Sequence, residues 1–252
     1  MKRLVDLLRI NEVRFTAIIL SVMTIAALIS LKGNLMSGGA VPCMYDIYLV
    51  GVMHVVSTFC VPFALFYILF VERYNQRPML VIREGRVINV WKRSVVDLFI
   101  LTVFFTLYVF ILTTIAGLVL TDRFYNWNEL NSRCMAWSGR ICEEQPSFVL
   151  LLISYIVETF ETFLAAGIIM LGVWWGTNKE WAGYLASIAL ITVDKAGVCD
   201  GIIFSKYYIA GATYKKGLSI SNNVIYPLLA AIIVFVLVNV LVIFKKKEFL
   251  GS

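Results

Sequence analysis

Two glutamates, Glu158 and Glu161 in the run SYIVETFETFLAAG, lie three residues apart and therefore share one face of a helix. They fall near the middle of an otherwise apolar stretch. An ionisable carboxyl there is expensive and by default suggests a transport pathway, a proton relay or a cation-binding face. A structural pair capped by hydroxyls or by a basic residue near the interface is the other reading, and the residues leave both open. His54, the single histidine, sits in an earlier apolar run. It serves either as an interhelical hydrogen bonder or as a further group on the same pathway, and Asn239 in the last run reads as polar glue.

Absent motifs narrow the chemistry. No G-x-x-x-x-G-K-[ST] loop occurs, so the chain does not hydrolyse ATP in the P-loop manner. One histidine excludes H-E-x-x-H and other multi-histidine metal sites. Glu143-Glu144 lack the companion histidines that a glutamate-based intramembrane protease requires. We expect no catalytic residue, no metal and no cofactor on this chain.

The elements that position these residues are membrane spans. The 252 residues are 60% hydrophobic and only 15% charged, against about 25% charged in soluble domains. The net charge of +6 does not signal nucleic acid, because the basic residues stand in short blocks beside apolar runs, as membrane topology requires. Six runs, 15–31, 47–71, 95–120, 148–173, 181–193 and 226–244, are read as spans of one membrane domain covering 1–252. A span takes about 20 apolar residues, so 181–193 is short unless it borrows residues that follow. Pro62 is expected to kink the second span, since it removes a helical hydrogen bond. No cleavable leader is expected at the N-terminus.

Basic residues orient the spans. Regions 1–14, 72–93, 176–180 and 245–252 hold 14 Lys and Arg in 49 residues, whereas 32–46, 121–147 and 194–225 hold 8 in 74. The positive-inside rule places both termini and the 72–93 segment in the cytoplasm. That segment, with six basic side chains against Glu72 and Glu84, is expected in water. Residues 1–14 show apolar spacing of an amphipathic interfacial helix. Residues 194–225, apolar yet broken by glycines, read as a re-entrant or interfacial external segment. Trp127, Trp137, Trp174, Trp175 and Trp181 fall near span ends and are expected to form an aromatic belt. Cys43, Cys134, Cys142 and Cys199 fall in the segments assigned outside, where disulfides persist. Cys134 with Cys142 and Cys43 with Cys199 is one arrangement; three connectivities, or thiols throughout, remain open.

The order of parts resembles the type-2 ABC transporter permeases, in particular the small bacterial permeases of peptide-antibiotic export and self-immunity. The resemblance is carried by the whole architecture and most specifically by ERYNQRPMLVIREGRVINVWKR, with Arg73-Tyr74 and the stretch Arg83 to Trp91. It implies that residues 1–14 form a connecting helix and that 72–93 holds a coupling helix docking on a separate ATPase, through Arg77, Pro78, Arg83, Glu84, Gly85 and Arg86. It further implies two ATPase copies carrying ATP and Mg, and a second permease copy or a related one, in the bacterial cytoplasmic membrane. The cargo would be an antimicrobial peptide or other amphipathic compound. An ATPase-independent immunity protein or scaffold, and an ion- or proton-coupled carrier, are the competing classes.

Overall fold

The computed structural model describes residues 13–35, 39–76, 87–139, 141–142, 145–195 and 218–244, except the side chains of Val13, Arg14, residues 52–54 and Lys195. Most of the described residues are helical, with one isolated bridge between Val41 and Ser132. α1 is Val13–Leu35. α2 runs from Met44–Val50 through the wider π-wound Gly51–Cys60 into Val61–Asn75. α3 is Val87–Leu120, α4 is Arg133–Ser138 and α5 is Phe148–Thr177. α6 is Glu180–Lys195, and α7 is Tyr226–Phe244, entered through a π turn at Ser221–Ile225.

Five helices are long and apolar enough to cross a membrane: Phe15–Leu35, Val55–Asn75, Val87–Leu120, Phe148–Thr177 and Ser221–Phe244. The architecture is that of a multi-pass helical membrane protein. Its outer faces are the unbroken apolar ones that lipid would require, such as Phe99, Leu107, Ile111, Ile115 and Leu118 on α3.

Several boundaries differ from the sequence expectation. α3 has 34 residues, about 51 Å at 1.5 Å per residue, well beyond a hydrocarbon core of about 30 Å. Its first turns, 87–93, were expected in the charged loop. They are helical because Trp91, with 2% exposure, packs into the bundle although Lys92 and Arg93 flank it. α2 likewise continues to Asn75, and Glu72, expected in water, is only 2% exposed. Of the segment 72–93, residues 77–86 lie outside the described residues. So do the expected connecting helix as far as residue 12, the tail 245–252 and residues 196–217.

The expected fifth span, 181–193, lies within α6. The described part of α6, up to Lys195, has 16 residues, about 24 Å of helix, and the residues that follow lie outside the described ones. It returns antiparallel along α5 from a tight turn in which Asn178 takes a left-handed conformation (φ 58°) and donates its N–H to the Trp174 carbonyl at 2.8 Å. Gly183 lies against the backbone of Met170 and Trp174, and the Ser187 hydroxyl donates to the Ala166 carbonyl at 2.9 Å. That register brings Asp194 to the level of Thr159, still short of the other end of α5.

Pro62 stands in the first turn of the helical stretch that follows the π-wound Gly51–Cys60. The π-wound turns immediately before it let the Val61 N–H reach the Val56 carbonyl. This absorbs the missing donor and the ring's clash with the preceding turn. The aromatic belt is also corrected: Trp127, Trp174 and Trp175 are buried, and only Trp137 and Trp181 are exposed. A buried indole needs an acceptor for its N–H, and two of these three find carboxylates.

α5 is the hub, packing against α2, α3, α6 and α7. A β-carbon on Gly183 would stand 2.4 Å from the Met170 carbonyl oxygen, a backbone atom that cannot step aside. We therefore expect Gly183→Ala to separate α6 from α5 and to cost about 1–3 kcal/mol, as overpacking does. Gly33→Ala, which meets nothing within 4 Å, should be neutral or gain up to about 1 kcal/mol of helix propensity. Thermal melts of the two variants in detergent check the difference.

Candidate functional site

Three polar assemblies lie along the bundle, one at each end and one at mid-depth. They begin with carboxylates that α2 carries at its two ends.

At the end away from residues 77–86, Asp46 is wholly buried in the first turn of α2. Its Oδ2 accepts the Cys43 N–H at 2.9 Å, the reciprocal arm of a capping box. Its Oδ1 accepts the Trp127 indole N–H at 2.9 Å. The chain 121–139 is thereby drawn over the start of α2 as a folded cap. Asn126 Nδ2 donates to the Val41 carbonyl at 2.8 Å, and Val41 N–H to Asn131 at 2.9 Å. Arg133, only 1% exposed, donates to the Leu35 carbonyl at 2.9 Å and so closes the C-terminus of α1. Tyr45, Phe124, Tyr125, Trp127 and Phe148 pack edge to face or tilted beneath this layer.

At the opposite end, the last turns of α2 and the first of α3 flank residues 77–86. Glu72 Oε1 accepts the Trp175 indole N–H from α5 at 2.8 Å and the Gln76 amide at 2.7 Å. Trp175 stands edge-on to Trp91 of α3, ring centroids 5.0 Å apart. Trp91 in turn donates to Asn239 Oδ1 of α7 at 2.9 Å. Asn75 Nδ2 donates to Asp97 Oδ2 at 3.0 Å, and the Arg93 guanidinium lies 3.9 Å from the same carboxylate. Arg73 clasps Glu180 at the start of α6 through both carboxylate oxygens. This outermost pair is about half exposed and adds little by itself. Five helices, α2, α3, α5, α6 and α7, thus meet through side-chain contacts at the edge of the expected coupling segment.

At mid-depth, Ser154, Glu158 and Glu161 form one stripe on α5, all nearly inaccessible. The Thr162 hydroxyl donates to the Glu158 carbonyl at 2.7 Å and lies 3.4 Å from Glu161 Oε2. Neither Glu161 Oε1 nor the Ser154 hydroxyl has a hydrogen-bond partner among the described residues. Asp194, buried near the end of α6, lies within electrostatic reach of Glu161. The antiparallel α5–α6 pairing thus adds a third carboxyl that sequence did not attach to the pair. Among the described residues no group of His, Cys, Asp or Glu has metal-binding geometry.

The remaining expectations divide as follows. His54 lies in the π-wound stretch of α2, and its side chain is outside the described residues. Arg77, Pro78, Arg83, Glu84, Gly85 and Arg86 are outside them too, as is Cys199. Cys43, Cys134 and Cys142 are present as thiols, so the local Cys134–Cys142 bridge is not formed in this structure. Sequence reasoning missed Asp46, Glu72 and Asp97. Each lies within a turn of an apolar run's end, a signal that was legible, but the partners Trp127, Trp175 and Asn75 come from other parts of the chain.

Comparison with family models, with curated proteins and with solved structures finds no match to this chain.

Removing the indole donor at either end leaves a buried carboxylate short of a hydrogen bond, which costs about 1–3 kcal/mol or more. We expect Trp175→Phe to lower detergent stability by that amount. Adding Glu72→Gln to Trp175→Phe should cost less than the two single changes summed, because both break the same bond. A double-mutant cycle on thermal melts measures the coupling.

Proposed function

We propose that this chain is the membrane-spanning subunit of an ATP-driven exporter of the type-2 ABC permease kind, with residues 77–86 as the contact for a separate ATPase. The observation that carries the reading is the braced base. The helices entering and leaving 77–86 are tied by Glu72–Trp175 to α5 and by Trp91–Asn239 to α7. A partner pressing on that segment would therefore displace α2, α3, α5 and α7 together rather than bend one hairpin. Hydrolysis would belong to the partner, which would carry ATP and Mg in two copies, and a second permease copy or a related chain would complete the assembly.

In this reading both termini and 77–86 lie in the cytoplasm of a bacterial cell, the cap faces outward, and the chain beyond Lys195 completes the fifth of six crossings. The cargo would be a cationic or amphipathic peptide. Support comes from the buried stripe of Glu158 and Glu161, with Asp194 beside it. Carboxyls at that depth suit a passing basic group, and their surroundings make them costly to keep for packing alone. The placement of Asp194 near Glu161 also favours a second reading, a carrier coupled to protons or another cation. That reading shares the stripe but needs no ATPase.

Purification from native membranes in mild detergent separates the two. The exporter reading expects a stoichiometric nucleotide-binding subunit to co-purify, and to be lost when 77–86 is replaced by a Gly/Ser linker. A preparation with no such subunit moves the weight to the carrier. Independently, Glu158→Gln with Glu161→Gln should lower peptide export or resistance at least about tenfold, equal to ~1.4 kcal/mol of lost interaction. Unchanged transport would remove the stripe from the pathway.

A further inference from the structure

Of the helices long enough to cross a membrane, α7 is the least buried. Pro227 and Ala231 are its buried residues, with Asn223 in the π turn before it, while Ile232, Ile233, Leu237 and Leu241 stand exposed. Among the described residues it packs extensively against α5 alone. The two helices run the same way, because Trp91 links Trp175 near the end of α5 to Asn239 near the end of α7. A β-carbon on Gly172 of α5 would stand 2.4 Å from a Val238 methyl, and this contact sets the register. Counting back from it, Pro227 comes level with Glu161, and the π turn Ser221–Ile225, which also packs on α5, comes level with Glu158.

The line of α5 that meets α7 at Gly172 is the one that carries the polar stripe. Steps of four, three, four and seven residues lead from Ser154 through Glu158, Glu161 and Ala165 to Gly172, the spacing of a single helix face. α7 therefore lies over the stripe and turns its other side to lipid. Ser154 is inaccessible and Glu161 is 2% exposed. Even so, the Ser154 hydroxyl and Glu161 Oε1 have no hydrogen-bond partner among the described residues. Such oxygens are costly to keep in a dry seam and complement a ligand that brings donors.

We infer that α7 is a lateral gate, parting from α5 to admit an amphipathic primary amine from the lipid to Glu158 and Glu161. The inference rests on the reading of the stripe as part of the transport pathway. The ligand class follows from what stands on either side of the gate. A primary ammonium has three donors and no acceptor, the complement of carboxylates and a hydroxyl oxygen. The way past α7 leads into hydrocarbon, which excludes a hydrophilic cation but holds the chain of an amphipathic one. The pivot is the π turn, a winding common at functional sites. There Asn223 Oδ1 accepts the Ser219 N–H at 3.0 Å, and the Asn223 N–H donates to the Ser219 carbonyl at 2.9 Å. A swing about this turn widens toward Asn239, which the Trp91 indole holds at 2.9 Å. Trp91 belongs to α3, so movement of α3 would release or reset that hold.

An engineered disulfide tests the gate. In Gly172→Cys/Val238→Cys the two β-carbons stand 3.7 Å apart, near the mean of about 3.8 Å for a bridge, and the methyl that would crowd position 172 is gone. The full-length protein in membrane vesicles is oxidised with copper phenanthroline, mixed with a diazirine-bearing dodecylamine and illuminated. The tryptic peptide 141–179 is then mass-analysed. The inference expects the amine, and not the corresponding alcohol, to label this peptide. Labelling should fall at least about tenfold on oxidation and return with reductant. It should fall as far in Glu158→Gln/Glu161→Gln. Oxidation should join peptide 141–179 to 217–245 in the double cysteine variant and in neither single one. A lock that does not close would overturn the α5–α7 seam. Equal labelling of locked and reduced protein would overturn the gate and leave the stripe as a site. Equal labelling by the alcohol would overturn the choice of a cation. No labelling by the amine, with export still dependent on the two glutamates, would overturn this inference alone. Export indifferent to both glutamates would overturn the reading beneath it.

Discussion

A carboxylate that leaves water must keep its hydrogen bonds, and this protein meets that constraint at both ends of α2. Asp46 and Glu72 are removed from solvent and each receives an indole N–H from a distant part of the chain. In a medium of low polarity an unsatisfied carboxylate costs far more than any single apolar contact returns. The partners therefore have little freedom. Trp127 must sit over the start of α2, which obliges the chain 121–139 to fold back as a cap. Trp175 must reach the end of α2, which fixes how far α5 slides along it.

Between those anchors the bundle is held by shape and by hydroxyls. Tyr48 meets Thr114 at 3.0 Å, Tyr155 meets Thr113 at 2.7 Å, and Tyr108 donates to the Leu20 carbonyl at 3.1 Å. These aromatic hydroxyls span helix pairs and carry no charge, so they orient the helices without a large desolvation cost. The stripe of Glu158, Glu161 and Asp194 is of another kind. It collects carboxyls at a depth where hydroxyls would have sufficed for packing, and that contrast gives it functional weight.

The two ends also differ in a way that suits transmission. The cap combines backbone hydrogen bonds with side-chain bonds and edge-to-face rings, whereas the base joins separate helices through side-chain contacts around the entry to residues 77–86. Side-chain bonds between helices can be exchanged as helices shift.

The sequence by itself determined that the chain is helical and membrane-embedded, because apolar runs near 20 residues and blocks of Lys and Arg follow from solvation alone. It also made Glu158 and Glu161 visible, since neighbours on one helix face are set by the helical repeat. It placed Trp127, Trp174 and Trp175 in a lipid-facing belt and Glu72 in water, because composition reports how far a residue is from an apolar run and not what faces it. Only the tertiary structure decided that α6 runs back along α5, that Asp194 comes near Glu161, and that indoles satisfy Asp46 and Glu72. Each of these depends on register between helices far apart in the chain. Register is settled by close approaches such as Gly183 on Met170 and by buried polar pairs, neither of which has a local signature.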